Sequence, residues 1–207
     1  MAAETEGQPM QVRYSPLEQQ FADVDEIFDE LRALVRSTDF TLGKAVGEFE
    51  EMFAAAAGSK YAIGVGSGTD ALKIPLKALG IGPGDEVITA ANTFYATAGA
   101  IAETGARIVF VDCDDTFGID PEQIEAAITS RTKAIMPVHL AGDMANMTRI
   151  TEIAEKHGLS VVEDACQSLL ATEAGRPAGT WGIAGGFSMH PLKIINVWGD
   201  AGVIVTD

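Results

Sequence analysis

Apolar positions along this chain follow two periods, and the alternation between them repeats. From Ser15 to Ser37, the residues Leu17, Phe21, Val24, Ile27, Phe28, Leu31, Leu34 and Val35 fall at helical spacing, with Pro16 near the start. The stretch AVGEFEEMFAAAA (45–57) predicts a second helix, stopped by Gly58. YAIGVGSG then reads as a strand entering a glycine-rich turn, and TDALKIPLKALG as a helix that Pro75 could kink. From there, strand and helix patterns alternate. The strands are GDEVITA, RIVFVDCD, KAIMPVHL and SVVEDACQ; the helices are FYATAGAIAETG, PEQIEAAI and MTRITEIAEKHG, the last ended by Gly158. Two further strands, GGFSMHP and GVIVTD, close the chain. Near-continuous apolar strands alternating with helices predict an α/β fold: a three-layer αβα sandwich around a mostly parallel sheet. Ligands of such sheets bind outside the carboxyl ends of the strands. Four clusters of polar and aromatic residues fall there: 66–70, 92–95, 164–167 and 188–193.

Composition narrows the class. With 207 residues, 47% of them hydrophobic, the chain can bury one sizeable core. We expect residues 1–15 to be a flexible N-terminus and residues 16–207 to form one domain. Lys plus Arg is 14 and Asp plus Glu is 30, so the net charge is 14 − 30 = −16. That balance disfavours nucleic acid and anionic membrane surfaces as partners. No apolar run reaches the ~18 residues of a membrane span. MAAETEGQPM carries neither the basic nor the apolar region of a secretory signal. Cys113 and Cys166 make no disulfide framework, and each sits beside an apolar strand as a small buried thiol. A cytoplasmic protein is expected. Because AGVIVTD ends on a strand, the sheet is expected to continue past Asp207 in a longer protein.

Each cluster admits a chemical and a bland reading. In GSGTDAL (66–72) a strand meets a helix N-terminus, where free amides and the helix dipole favour an anion. The amides of Gly68 and Thr69, with the Thr69 hydroxyl, could hold a phosphate; equally, Thr69 or Asp70 could cap the helix. The dinucleotide pattern G-x-G-x-x-G is not met, because Asp70 or Ala71 stands at its third glycine. In TFYA (93–96), Phe94 could stack on a flat ring, although burial is commoner for an aromatic at such a place. Asp164 and Glu163 end an apolar strand where two acids are unusual, and Gln167 lies one helical turn further. Ser188, His190 and Lys193 follow a glycine-rich approach. A serine hydrolase centred on Ser188 lacks the G-x-S-x-G elbow. His139, His157 and His190 match no metal-ligand spacing, and His157 reads as a helix C-terminal cap. An Asp and a Lys at strand ends do match the needs of pyridoxal phosphate (PLP) chemistry. There the Lys forms a Schiff base and the Asp pairs with the pyridinium nitrogen.

Together, DFTLGKAVGEFE, YAIGVGSGTDAL, ALGIGPGDEVITAANTFYATAGAI, PVHLAGDM, VVEDACQS, FSMHPLK and GDAGVIVTD resemble the DegT family of PLP-dependent sugar aminotransferases, of fold type I. The resemblance runs from about Tyr14 to Asp207. It implies that residues 16–207 are the PLP-binding large domain, cut before a small C-terminal domain. It implies that Gly68, Thr69 and Ser188 hold the phosphate and that Phe94 stacks on the ring. Asp164 would bond the ring nitrogen, Gln167 would lie near the ring hydroxyl, and Lys193 would be the Schiff-base lysine. The implied reaction moves an amino group from glutamate to a keto sugar, nucleotide-linked or of eight carbons, for cell-surface polysaccharide. The implied assembly is a homodimer whose partner loop completes the phosphate site. A family subset that removes a sugar hydroxyl carries His in place of the lysine; Lys193 argues against it. Ala201 departs from the family's glycine in the stretch after the lysine. The rival expectation is a truncated PLP-binding protein without turnover.

Overall fold

Seven strands form one sheet in the computed structural model, which describes Val12 and residues 15–207. They are β1 (Tyr61–Val65), β2 (Glu86–Ala90), β3 (Arg107–Val111), β4 (Thr132–Met136), β5 (Ser160–Asp164), β8 (Ala184–Ser188) and β9 (Gly202–Thr206). A separate two-stranded hairpin joins β6 (Thr172–Glu173) to β7 (Arg176–Pro177). The large sheet has the order β1-β9-β8-β5-β4-β2-β3. The ladders β8–β5, β5–β4, β4–β2 and β2–β3 are parallel, whereas β9 runs antiparallel to both β8 and β1. The fold is therefore the expected α/β one with a mostly parallel sheet.

The helices are α1 (Leu17–Gln20), α2 (Asp25–Ser37), α3 (Lys44–Ala57), α4 (Gly68–Ala78), α5 (Tyr95–Ala102), α6 (Pro121–Ala127) and α7 (Met147–His157). The chain divides into two units, Met1–Thr41 and Leu42–Asp207. In the first, the continuous helix expected from Ser15 to Ser37 is two helices, broken over residues 21–24. The restart at Asp25 and Glu26 puts two acids on a first turn, where the helix dipole favours them. The loose segment expected at 1–15 lies, apart from Val12 and Ser15, outside the described residues.

In the second unit, period-two alternation sends neighbouring strand residues to opposite faces. Val161, Ile135 and Ile88 pack with Ile124, Met147, Ile150 and Ile153 beneath α6 and α7. Val162, Ala134, Met136 and Val87 pack with Leu72, Leu76, Ala100 and Ile101 beneath α4 and α5. Phe187, Val203 and Val205 meet Phe53, Ala54 and Ala57 of α3. Both faces are thus covered, and helices stop where the sequence signals them. Gly58 and Gly158 end α3 and α7 in the left-handed conformation, and Asn146 caps α7 through its side chain.

Helix α4 carries Pro75 in its interior. Strand β9 is not a sheet edge: it lies between β8 and β1, so the edges of this sheet are β1 and β3. Among the described residues, no helix is long and apolar enough to cross a membrane.

Candidate active site

Four chain segments converge where the parallel strands end and the antiparallel β9 begins. Gly202 pairs with both Val65 and Ser188, and Asp164 pairs with Gly186, which aligns the ends of β1, β8 and β5. Gly68 and Thr69 open α4, ahead of the first helical hydrogen bond, from the Ala71 amide to the Ser67 carbonyl. The cap is Ser67, whose hydroxyl accepts from the Asp70 amide at 3.1 Å, and not Thr69 or Asp70. Gly68 lies so close to its neighbours that an added Cβ would stand 2.6 Å from the Ser188 Cβ and 3.1 Å from the Cys166 Sγ. At Gly202 a Cβ would lie 2.2 Å from the Ser67 carbonyl oxygen. These glycines let the start of α4 close onto β8 and β9.

The two acids of β5 face opposite sides of the sheet. Glu163 is fully buried on the side of Val161. Its carboxylate accepts from the amides of Gly179, Trp181 and Gly182 at 2.6–2.8 Å and lies 2.9 Å from His139 Nε2. His139 Nδ1 accepts from the Ala145 amide, which puts the single imidazole proton on Nε2, toward Glu163. This network closes the loops at 139–145 and 179–182 over the sheet. Asp164 is buried on the other side. Its Oδ2 accepts from the Thr97 hydroxyl at 2.6 Å and its Oδ1 from the Cys166 amide at 3.1 Å.

Gln167 accepts from the Ala141 amide through Oε1 at 2.9 Å, so its NH₂ group is the end with protons to offer. Phe94 is the residue before α5; its ring centroid lies 4.3 Å from that of Tyr95, and the two residues are 54% and 77% exposed. Burial of these aromatics, the commoner fate, is not met. Ser188 closes β8, and its hydroxyl accepts from the His190 amide at 3.3 Å. The Lys193 amide donates to the His190 carbonyl at 2.8 Å, making a tight turn that leaves Lys193 half-buried. Burial pushes the Cys166 thiol well above its ordinary pKa, the Asp164 carboxylate pushes it further, and the Lys193 ammonium pulls it back. Acid and lysine thus act on one thiol.

The histidines do not gather. His139 is in the Glu163 network; His157 pairs with Glu125 at 2.9 Å, while Gly158 ends that helix; His190 Nδ1 accepts from the Leu192 amide. Ala201 takes the place of a glycine without a left-handed backbone, and its carbonyl accepts from the Met189 amide. Sequence reasoning missed Thr97, fully buried, and Thr93, 2.6 Å from it. Thr93 precedes α5 and Thr97 lies in its first turn, so no helical spacing in the sequence linked the two. Cys166 was read as a bland thiol, and its place beside Gly68 and Asp164 had no sequence signal.

Known proteins resemble this chain in sequence and in fold. Residues 22–207 match the family model for the DegT/DnrJ/EryC1/StrS aminotransferase family. A "pleiotropic regulatory protein" of Geobacillus stearothermophilus is 51% identical over 88% of this chain and 49% of its own length. The dTDP-3-amino-3,4,6-trideoxy-alpha-D-glucose transaminase of Micromonospora megalomicea subsp. nigra is 43% identical over the same shares. The crystal structure of NtdA from Bacillus subtilis, with bound cofactor PMP, superposes with a TM-score of 0.88 at 38% identity, over 99% of this chain and 47% of that one. The chain spans about half the length of the curated relatives it matches. By sequence and by fold, it belongs to the DegT/DnrJ/EryC1/StrS aminotransferase family.

Proposed function

We propose that this chain is the cofactor-binding large domain of a PLP-dependent aminotransferase that carries an amino group from glutamate to a keto sugar for cell-surface polysaccharide. The observation that carries the reading is Asp164: a buried carboxylate at a parallel strand end, its oxygens fixed by Thr97 and Cys166, with Lys193 acting on the same thiol. The residues present fit the cofactor. Gly68 lets the start of α4 close onto Ser188, and the donor set holds helix amides and a hydroxyl for a phosphate, a carboxylate for a ring nitrogen and a primary amine for a carbonyl.

When bound, PLP supplies an electron sink for the charge left on the amino donor's α-carbon. Asp164 would set a negative charge against the ring nitrogen and keep it protonated. The Gly68 and Thr69 amides, at the positive end of α4, would hold the phosphate together with the Thr69 and Ser188 hydroxyls. Phe94 would cover a face of the ring. Gln167, its carbonyl tied to Ala141, would offer its NH₂ to the ring hydroxyl. Lys193 would hold the cofactor's carbonyl carbon, and its Nζ would serve as the base for the donor's α-proton. The named transaminase relative supports a nucleotide-linked keto sugar over an eight-carbon one. A cytoplasmic homodimer, with a partner loop completing the phosphate site, belongs to the same reading.

The test is the full-length gene product with glutamate and a panel of nucleotide-linked keto sugars. Without acceptor we expect at most one equivalent of 2-oxoglutarate per active site, and continued formation at ~1 s⁻¹ or faster only with the true keto sugar. Cofactor uptake with no 2-oxoglutarate from any acceptor would instead support a PLP-binding protein without turnover.

A further inference from the structure

The Asp164 carboxylate is held by a chain of hydroxyls that the proposed chemistry does not itself require. Thr97 is fully buried in the first turn of α5, and its Oγ1 lies 2.6 Å from Asp164 Oδ2 and 2.6 Å from Thr93 Oγ1. A hydroxyl has one proton to give. Thr97 spends its proton on the carboxylate, so Thr93 must donate to Thr97, and both dipoles point at the acid. Asp164 Oδ1 is occupied by the Cys166 amide. Its backbone is fixed as well: the Asp164 amide donates to the Pro137 carbonyl at 2.9 Å, and the Asp164 carbonyl accepts from the His139 amide at 3.0 Å. With one donor on each oxygen, the carboxylate rotamer is set and each oxygen keeps a lone pair for a further donor.

Valine would fill the Thr97 position with the same shape and no buried polar atom, so the hydroxyl is explained by its partner rather than by packing. Thr97 also belongs to the segment that carries Phe94, since its amide donates to the Phe94 carbonyl at 3.1 Å. We infer that Thr97, backed by Thr93, is a positioning residue: it orients Asp164 toward the cofactor's ring nitrogen and ties that acid to the segment bearing the stacking ring. The inference rests on the PLP reading above.

A double-mutant cycle in the full-length enzyme tests it, using Thr97→Val, Thr97→Ser, Asp164→Asn and the Thr97→Val/Asp164→Asn pair. Two quantities are read: the PLP dissociation constant of the apo-protein, and the rate of the glutamate half-reaction with its KM. For Thr97→Val we expect PLP binding about fivefold weaker and the half-reaction about tenfold slower, the scale of one hydrogen bond to a charged group, with KM changed less than about twofold. Thr97→Ser should restore both to within about twofold. In the Asp164→Asn background, Thr97→Val should cost less than about twofold more, because its partner charge is gone. Equal losses in both backgrounds, no loss at all, or a Ser variant as impaired as the Val variant would overturn the role of Thr97 while leaving the cofactor reading intact. A wild-type protein that takes up no PLP would overturn both.

Discussion

At Gly68 a hydrogen atom stands where any other residue would place a methyl group 2.6 Å from the Ser188 Cβ. Alanine is the better helix former by ~1 kcal/mol, but this position opens the helix, where propensity counts least, and overpacking costs ~1–3 kcal/mol. The clash should win. We predict that Gly68→Ala lowers the urea midpoint and weakens PLP binding together, because the clash pushes the first turn of α4, with its phosphate-facing amides, away from Ser188. A variant with an unchanged midpoint and unchanged PLP affinity would show that α4 and β8 are not so closely joined. At this scale the sequence was legible where chemistry is rare. Asp164 and Lys193 stood out because an acid and an amine at apolar strand ends are unusual. Glu163 and Asp164 looked like one feature, and only the strand's alternation separates a structural hub from a candidate cofactor partner. Thr97 was invisible because a threonine within a helix signals nothing until its neighbour across the sheet is known.

Strand and helix order was readable because the inner strands are buried on both faces and α3 and α7 carry glycine stop signals. What escaped were features set by tertiary context. The hairpin of β6 and β7 has two residues per strand, too few for a period to register, and turns through Ala174 and Gly175 at positive φ. The β9 direction depends on which neighbours it meets and not on its own residues. One element-level anchor also escaped. Glu86, buried at the start of β2, accepts from the Thr129 hydroxyl at 2.6 Å and from Arg131 Nη2 at 2.6 Å, and Arg107 lies 3.6 Å away. The Thr129 hydroxyl first, and then Arg131 and Arg107, hold its carboxyl below the ordinary range against the opposing effect of burial. A carboxyl whose pKa is depressed on folding stabilises the fold fully above its unfolded value, near pH ~4.3, and loses that contribution as pH falls through the folded value. Glu86→Gln should therefore melt below wild type at pH 7, and the gap should narrow as the pH falls below the unfolded carboxyl value. A gap independent of pH would mean that the charge of Glu86 contributes nothing and only its shape matters.

For the whole molecule, fold and family were legible because seven separate motifs occur in the right order, a coincidence that composition alone cannot produce. Strand β1 forms a sheet edge on which Tyr61 and Ile63 are exposed, and Leu192, Ile194 and Trp198 are exposed beyond β8. Apolar edges and patches of this kind favour association. Expressed alone, residues 1–207 should scatter light as aggregates or oligomers, bind PLP weakly and produce no 2-oxoglutarate. A monodisperse monomer with turnover of ~1 s⁻¹ would show that this chain is a sufficient enzyme.

If Lys193 and Asp164 hold PLP between the ends of β8 and β5, borohydride will fix the cofactor on that lysine. The full-length protein is loaded with PLP, reduced and digested, and the added phosphopyridoxyl mass is located. One label is expected, on the peptide containing Lys193, absent from Lys193→Ala and retained in Asp164→Asn. A label on another lysine, or no label on a folded protein at saturating PLP, would contradict it.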